Sequence, residues 1–370
     1  MNKKSIYIKL LCIIMINILI FEHYKIVQNR KINGSIMVNS AYASESISNI
    51  YISEKDYCED MKNIVEPYIN NKIDTGYIYG DENKKIYYEK YLVENSKANI
   101  VISHGYTESL DKYHEIIYYF LKNGYNVFGI EHRGHGRSDT LGLEDNTQID
   151  VRKFSQYVID LKNFMNEIVM PNSNEKKMFL YSHSMGGAIG AKFLEDYPEY
   201  FDGAVLSSPM LGIYTGKMPS FLAELIVKIS VALGRGDNYV IGMRGYAPDY
   251  KLDRLATSSV NRYNYYHEII ENQETFQCGG ACYNWTNESM NAINEIIKYE
   301  NVSKIEIPVI IFQAGNDTYV NEKGQNKFAK SAKQCELKII KESKHELYRE
   351  NDHIQKPYLE TVFGFYKNLI

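Results

Sequence analysis

From residue 74 onward, short apolar runs alternate with segments whose apolar residues recur at helical spacing, and this alternation limits the possible folds more than any other feature. A hairpin is predicted over 75–94, with its turn at 80–83. Strands and helices then follow one another to the end of the chain. Strands that alternate with helices imply a mostly parallel sheet with helices on both faces, which is an α/β fold. After the hairpin, the predicted strands cover 99–105, 125–134, 176–184, 201–209, 307–317 and 335–346, and the predicted helices cover 112–124, 150–169, 185–196, 322–333 and 355–369.

One long segment of helical character, at 210–303, interrupts this alternation. Connections longer than about 15 residues are uncommon within a compact domain, so this segment is predicted to be a helical cap inserted between two late strands. The first part of the core would then cover 46–209 and the second part 304–370.

The stretch 220–234 within this segment is apolar around much of a helix, with Glu224 and Lys228 on one polar stripe. Two interpretations fit. The helix packs on a core, or it lines an acyl tunnel or touches a lipid surface, with Leu222 and Ile226 among its outward residues.

Residues 1–45 are predicted to lie outside the fold. Lysines precede an apolar run at 10–21, which has the length of a signal-peptide core and is short for a membrane span. The small-x-small site at 41–43 lies far downstream, so a cleaved signal peptide and an uncleaved membrane anchor both fit. Either predicts export, with the protein outside the cell or anchored at the outer face of a membrane.

The composition excludes several classes of partner. The 370 residues are 44% hydrophobic with a formal net charge of -4, which is typical of a globular chain with a large core. Lys and Arg are scattered and the cysteines lack zinc-type pairing, so neither a nucleic-acid partner nor a metal site is expected. No organic cofactor is implied. Cys278 and Cys282 close a disulfide loop in an exported protein or remain free thiols, and the sequence leaves both open.

The stretch "FLYSHSMGGAIG", residues 179–190, places Ser184 between a predicted strand and a predicted helix. This context is typical of a nucleophile elbow, whose usual pattern is Gly-x-Ser-x-Gly. Ser182 replaces the first glycine of that pattern. Because the turn is sharp, residues two before and two after the nucleophile must be small, and serine meets that requirement.

A serine nucleophile needs a base, and the base needs a carboxylate to hold its tautomer. Asp317 and His345 each lie at the carboxyl end of a predicted strand, and the chain order Ser, Asp, His is the one this fold requires. Strand ends at the carboxyl edge of such a sheet converge on one crevice. We therefore predict that Ser184, Asp317 and His345 form a catalytic triad.

A transient oxyanion requires hydrogen-bond donors that are already in place. The backbone amide of Met185 directly follows the nucleophile. The amide of Tyr106 follows His104 and Gly105 at the end of the strand over 99–105. These two amides are predicted to form the oxyanion hole; the sequence does not identify further substrate-binding residues.

The segments "ISHGYTESLDKYHEIIYYFLKNGYNVFGIEHRGHGRSD", "HSMGG", "GND" and "KHELYRE" together resemble the α/β-hydrolases of the monoacylglycerol lipase and lysophospholipase L2 group. The resemblance spans about 75–370 and includes "CGGACYNWTNESMNA", which is similar to a stretch in the lysophospholipase branch. It implies the same triad and oxyanion-hole residues named above.

The expected function is therefore that of a serine ester hydrolase acting on a single-chain lipid such as a lysophospholipid or monoacylglycerol, with contact to a membrane surface. The alternatives are a broad-specificity carboxylesterase, an acyltransferase in which an alcohol replaces water, and a non-catalytic binding protein on the same fold. Loss of a triad residue would favour the last of these, and none is lost.

Overall fold

The computed structural model describes residues 50–248 and 256–370, and its centre is one eight-stranded sheet. The strand order is β1-β2-β4-β3-β5-β6-β7-β8. The hairpin strands β1 and β2 are antiparallel to each other and β2 is antiparallel to β4, whereas every other neighbouring pair is parallel. The strands are β1 (Ile73–Tyr79), β2 (Lys85–Tyr91), β3 (Ala98–Ser103), β4 (Tyr125–Ile130), β5 (Met178–His183), β6 (Gly203–Ser207), β7 (Val309–Ala314) and β8 (Cys335–Ile340).

Helices cover both faces of the sheet, as the alternation predicts. In β3, Ile100 and Ile102 contribute to the core on one face and Val101 to the core on the other, because successive side chains of a strand point to opposite faces. Helices α1 and α8 pack into the core that contains Ile100 and Ile102. Helices α2, α3 and α7 pack into the core that contains Val101. The longer helices are α1 (His114–Lys122), α2 (Ser155–Phe164), α3 (Ser184–Asp196), α4 (Ser220–Ala232), α5 (Val260–Asn272), α6 (Tyr283–Ile296), α7 (Glu322–Ser331) and α8 (Asp352–Lys367).

Short helical turns complete the described chain. Residues Tyr57–Asp60, Met61–Val65 and Glu66–Asn70 form a continuous helical segment before the sheet, and α2 continues through Met165–Val169 and Met170–Asn172. Further single turns lie at Asp81–Asn83, Leu110–Tyr113, Glu274–Phe276, Tyr299–Val302 and Leu347–Arg349.

Helices α4, α5 and α6 lie in the segment between β6 and β7, where the sequence predicts a helical insertion. Helix α6 packs against both α4 and α3, which fixes the insertion to the sheet domain. Isolated bridges between Ile149 and Ala281 and between Ile213 and Val320 add further attachments. The domain boundaries at 210 and 303 remain a prediction.

The core-packing interpretation of α4 is wrong for most of its apolar side chains. Only Val227 of this helix is buried. Phe221 is 68% exposed and Leu225 52%, while Leu222 and Ile229 are also exposed. Because a side chain that faces solvent gains nothing from the hydrophobic effect, burial in the core cannot explain this apolar surface.

Some boundaries differ from those predicted. Helix α2 begins at Ser155 rather than at 150, because the residues before it bond to the insertion: Ile149 pairs with Ala281, and the Phe154 amide donates to Glu288 Oε2 at 3.2 Å. Strand β8 ends at Ile340, where the Ser343 amide donates to the Ile340 carbonyl and turns the chain.

The predicted signal peptide or anchor at 1–45 lies outside the described residues. None of the helices within 50–248 and 256–370 combines the length and the apolar character of a membrane span. Cys278 and Cys282 are free thiols in the structure.

Candidate active site

The elbow is formed by a strand that passes directly into a helix. β5 ends at His183 and α3 begins at Ser184, whose φ of +51° lies in the left-handed region. A Cβ atom on Gly186 would lie 2.1 Å from the Ser103 carbonyl oxygen, so the helix packs against β3 at a distance that only glycine permits. Ser182 is fully buried, and its hydroxyl donates to the Val205 carbonyl at 3.2 Å. The elbow therefore accommodates serine in place of the usual glycine.

The structure brings Ser184, His345 and Asp317 into one hydrogen-bonded chain. His345 Nδ1 lies 2.7 Å from Asp317 Oδ2, and His345 Nε2 lies 2.8 Å from Ser184 Oγ. With Nδ1 protonated and donating to the carboxylate, Nε2 is free to accept the serine proton. This is the geometry that a general base and its nucleophile require.

The second oxygen of Asp317 is held by the backbone. Asp317 Oδ1 accepts from the amides of Tyr319, at 2.8 Å, and Val320, at 3.1 Å. Burial raises the pKa of the Asp317 carboxyl. The charge and hydrogen bond of His345 and these two amides lower that pKa by more than burial raises it, so the net shift is downward. Asp317 is therefore ionised at neutral pH and faces His345 as a fixed acceptor.

His345 has the opposite shift. Burial lowers the pKa of its imidazole, but Asp317, Glu346 and Glu108 raise it, and the net shift is upward from the ordinary value. Its ring packs between His183, at 4.8 Å between ring centroids, and Tyr319, at 5.1 Å. The carboxylates stabilise the imidazolium that would form during catalysis, and the two rings restrict its orientation.

The two predicted oxyanion donors lie at the same edge of the sheet. Ser103 of β3 pairs in parallel register with Ser182 of β5. Tyr106 and Met185 each lie three residues beyond that pair, at the carboxyl ends of adjacent strands. Met185 also stands in the first turn of α3, where backbone N–H groups have no partner within the helix.

The insertion contacts this edge through Trp285 of α6. The Tyr106 and Trp285 rings lie 4.5 Å apart, and Trp285 Nε1 donates to the Tyr157 hydroxyl at 3.1 Å. Cys282 caps the helix: its sulfur accepts from the Trp285 amide at 3.3 Å, and its thiol donates to Asp150 Oδ1 at 3.0 Å. The "CYNW" stretch thus positions an aromatic ring against one of the predicted oxyanion residues.

Sequence reasoning missed a group of buried charges beneath the site, formed by Glu108, Lys112, Glu346 and Arg349. One signal was available, because Glu108 and Lys112 are spaced i,i+4 immediately after the strand that leads to Tyr106. The contact of Lys112 with Glu346 joins residues 234 positions apart and has no local signal.

Comparison with known proteins shows the family. The family model described as serine aminopeptidase, S33, matches residues 94–352. The chain belongs to this family. Lysophospholipase L2 of Escherichia coli K12 is 30% identical over 302 residues, which are 78% of this chain and 85% of that protein. A probable lysophospholipase L2 of Haemophilus influenzae is 29% identical over 293 residues, 79% of this chain and 91% of that protein.

Solved structures show the same fold. The chain matches a monoglyceride lipase of Saccharomyces cerevisiae, solved as a soluble variant with a substrate analogue, at a TM-score of 0.66 and 18% identity, covering 80% of this chain and 96% of that one. It matches a carboxyl esterase of Bacillus coagulans at a TM-score of 0.66 and 15% identity, covering 80% and 99%. The fold is therefore the α/β-hydrolase fold, and the resemblance identified from the sequence is confirmed.

Proposed function

We propose that this protein is a serine ester hydrolase that cleaves single-chain lipids, with Ser184 as nucleophile, His345 as base and Asp317 as the carboxylate that orients it. The observation that carries the proposal is the continuous hydrogen-bonded chain from Ser184 Oγ through His345 to Asp317. The relatives named lysophospholipase L2 and monoglyceride lipase support the substrate class, because each name is that of an enzyme whose substrate is a lipid ester with one acyl chain.

The chemistry follows from these positions. Ser184 Oγ attacks the acyl carbonyl carbon while His345 Nε2 takes the hydroxyl proton, and the amides of Tyr106 and Met185 donate to the oxyanion of the tetrahedral intermediate. When the intermediate collapses, the C–O bond to the alcohol breaks and His345 returns the proton to the departing oxygen. A water molecule, deprotonated by the same histidine, then hydrolyses the acyl-enzyme and restores Ser184.

We also propose that α4 contacts the surface of a membrane or lipid aggregate. Its exposed residues Phe221, Leu222, Leu225 and Ile229 give one helix a large apolar surface, which is what an interfacial helix buries among lipid acyl chains. Substrates with one long acyl chain are presented at such surfaces. The segment 210–303 would then be a cap that brings the substrate to the crevice beside Tyr106.

Export is part of the same proposal. The lysines and apolar run at the start of the sequence support secretion or anchoring at the outer face of a membrane. Cell fractionation and protease accessibility test this directly. If the cell wall is removed, the membrane is left intact and the protein still resists added protease, export is contradicted.

The substrate class is tested with purified protein on two esters. We expect turnover of lysophosphatidylcholine or monoolein and of p-nitrophenyl butyrate by the wild type, and of neither by Ser184→Ala. Hydrolysis at the wild-type rate by Ser184→Ala would refute the mechanism. Turnover of the short ester alone would refute the lipid substrate and favour a carboxylesterase.

The interfacial role of α4 is tested with Leu222→Asp and Phe221→Ser against the control Ile339→Ser. Ile339 is 54% exposed and lies on the edge strand β8, so its replacement removes similar apolar surface elsewhere. Because each fully inserted side chain contributes about 1.5 kcal/mol or more, we expect turnover of vesicle-bound lysolipid to fall about tenfold in the α4 variants and not in the control. Equal losses on p-nitrophenyl butyrate would contradict the interfacial role.

A further inference from the structure

A buried cluster of charges joins the two loops that carry the predicted oxyanion donor Tyr106 and the histidine. We call Glu108, Lys112 and Glu346 the loop bridge. Lys112 Nζ lies 3.0 Å from Glu108 Oε1 and 2.6 Å from Glu346 Oε1. The side chain of Lys112 is 1% exposed and each glutamate side chain 3% exposed, so the bridge is closed to solvent.

The Glu108 end of the loop bridge holds the loop that leads to Tyr106. Glu108 Oε2 accepts from the Gly105 amide at 2.6 Å and from the Tyr113 hydroxyl at 2.6 Å. A Cβ atom on Gly105 would lie 2.7 Å from the same carboxylate oxygen, so the backbone packs directly on the glutamate. The position of the Tyr106 amide therefore depends on where Glu108 is held.

The Glu346 end holds the loop of the histidine, because Glu346 directly follows His345. Its second carboxylate oxygen accepts from Arg349 Nη1 at 2.8 Å, and its backbone amide donates to the Ala256 carbonyl at 2.8 Å. Movement of this carboxylate would carry the adjacent imidazole with it.

The charges of the loop bridge are those of a tight ion cluster. Burial raises the pKa of both carboxyl groups, but Lys112 lowers it in each case, helped by His183 and the Tyr113 hydroxyl at Glu108 and by Arg349 at Glu346. The net shift of both is downward. Removal of Lys112 would leave two buried carboxylates without the cation between them, which is strongly unfavourable.

We propose that Lys112 is a positioning residue which, by holding Glu108 and Glu346 together, fixes the Tyr106 amide relative to the His345 imidazole. This inference rests on the proposed function of Ser184 and His345. The side chain of Lys112 is 1% exposed and is paired with the two glutamates, so its loss would act through the reacting geometry. A misplacement of about 1 Å in such a geometry costs on the order of 100-fold in rate.

The test compares Lys112→Met, Lys112→Arg and Glu346→Gln with the control Arg133→Met. Arg133 forms a buried ion pair with Asp160 at 2.7 Å, on the helix that packs beneath the hairpin, so its loss also removes a buried cation. With p-nitrophenyl butyrate and equal amounts of folded protein, Lys112→Met is expected to lower kcat about 10- to 100-fold with KM within about twofold of wild type. Lys112→Arg should recover part of kcat, and Arg133→Met should retain it.

A pH profile separates positioning from simple loss of structure. Glu346 raises the pKa of His345, so Glu346→Gln should move the acid limb of kcat/KM to lower pH while it lowers kcat. This variant preserves side-chain volume, so it tests the role of the loop bridge if Lys112→Met does not fold. A Glu346→Gln enzyme with the wild-type kcat and pH profile would overturn the proposal.

Labelling with a fluorophosphonate distinguishes failure of the proposed function from failure of the proposed role of Lys112. If the wild type neither reacts nor turns over ester, the proposed function is wrong. If the wild type reacts and folded Lys112→Met reacts at the same rate, the proposed function stands and the role of Lys112 is refuted.

Discussion

Replacement of Gly186 by alanine tests whether the close contact between α3 and β3 sustains the site. The added Cβ would lie 2.1 Å from the Ser103 carbonyl oxygen and 2.4 Å from that of His104, where ordinary contact begins near 3.4 Å. Both atoms belong to the backbone, so helix and strand must separate by roughly 1 Å. Overpacking of this kind costs about 1–3 kcal/mol, and the helix preference of alanine recovers at most about 1 kcal/mol of it.

The matched control is Gly364→Ala in α8, where no atom other than those of its chain neighbours and the nearby helix backbone lies within 4 Å of the added Cβ. Gly364→Ala should stabilise the protein by about 0.5–1 kcal/mol, because only the helix preference changes. Gly186→Ala should lower the melting temperature by several degrees and slow fluorophosphonate labelling on the order of 100-fold, since Ser103 and His104 lead to Tyr106. Wild-type melting and labelling in Gly186→Ala would refute the argument.

Three further predictions concern the triad, the elbow and the response to acid. Asp317→Asn should lower kcat on the order of 10⁴-fold. In a pH-rate profile, the acid limb of kcat/KM is expected above about pH 6.5 in the wild type and at lower pH in Asp317→Asn. Ser182→Gly should keep activity, whereas Ser182→Leu should destabilise the buried elbow by more than about 1 kcal/mol in thermal melting. Burial lowers the pKa of His104 and His183 to about 4 and that of His135 to about 3. Between about pH 6.5 and pH 4 these histidines therefore bind protons only when the protein unfolds. The free energy of unfolding should fall over this range by about 1.4 kcal/mol per pH unit for each histidine. A melting temperature that stays constant over this range would contradict the last prediction.

Much of the sheet could be predicted because its signals are local. The inner strands of the parallel region, β3 to β7, are short and mostly apolar runs, and Ser184 is marked by the strand before it and the helix after it. Their positions at strand ends and the chain order select Asp317 and His345, and the structure places His345 within hydrogen-bond reach of both Asp317 and Ser184. Their catalytic roles remain predictions.

What could not be predicted depends on contacts between distant parts of the chain. The apolar character of α4 is compatible with a buried or an exposed helix, and only the surrounding structure decides that Phe221 faces solvent. The bridge from Lys112 to Glu346 requires the closed fold, since a lysine and a glutamate so far apart in sequence carry no mutual signal. The start of α2 differs from the prediction because Ile149 and Phe154, which precede the helix, bond to the insertion.

We infer that His345 activates Ser184 as the nucleophile. Reaction of the purified protein with a fluorophosphonate tests this, followed by proteolysis and tandem mass spectrometry that resolves Ser182 from Ser184. We predict a single adduct on Ser184, with labelling lost in Ser184→Ala and strongly reduced in His345→Ala. An adduct on another residue, or labelling of His345→Ala at the wild-type rate, would contradict this account.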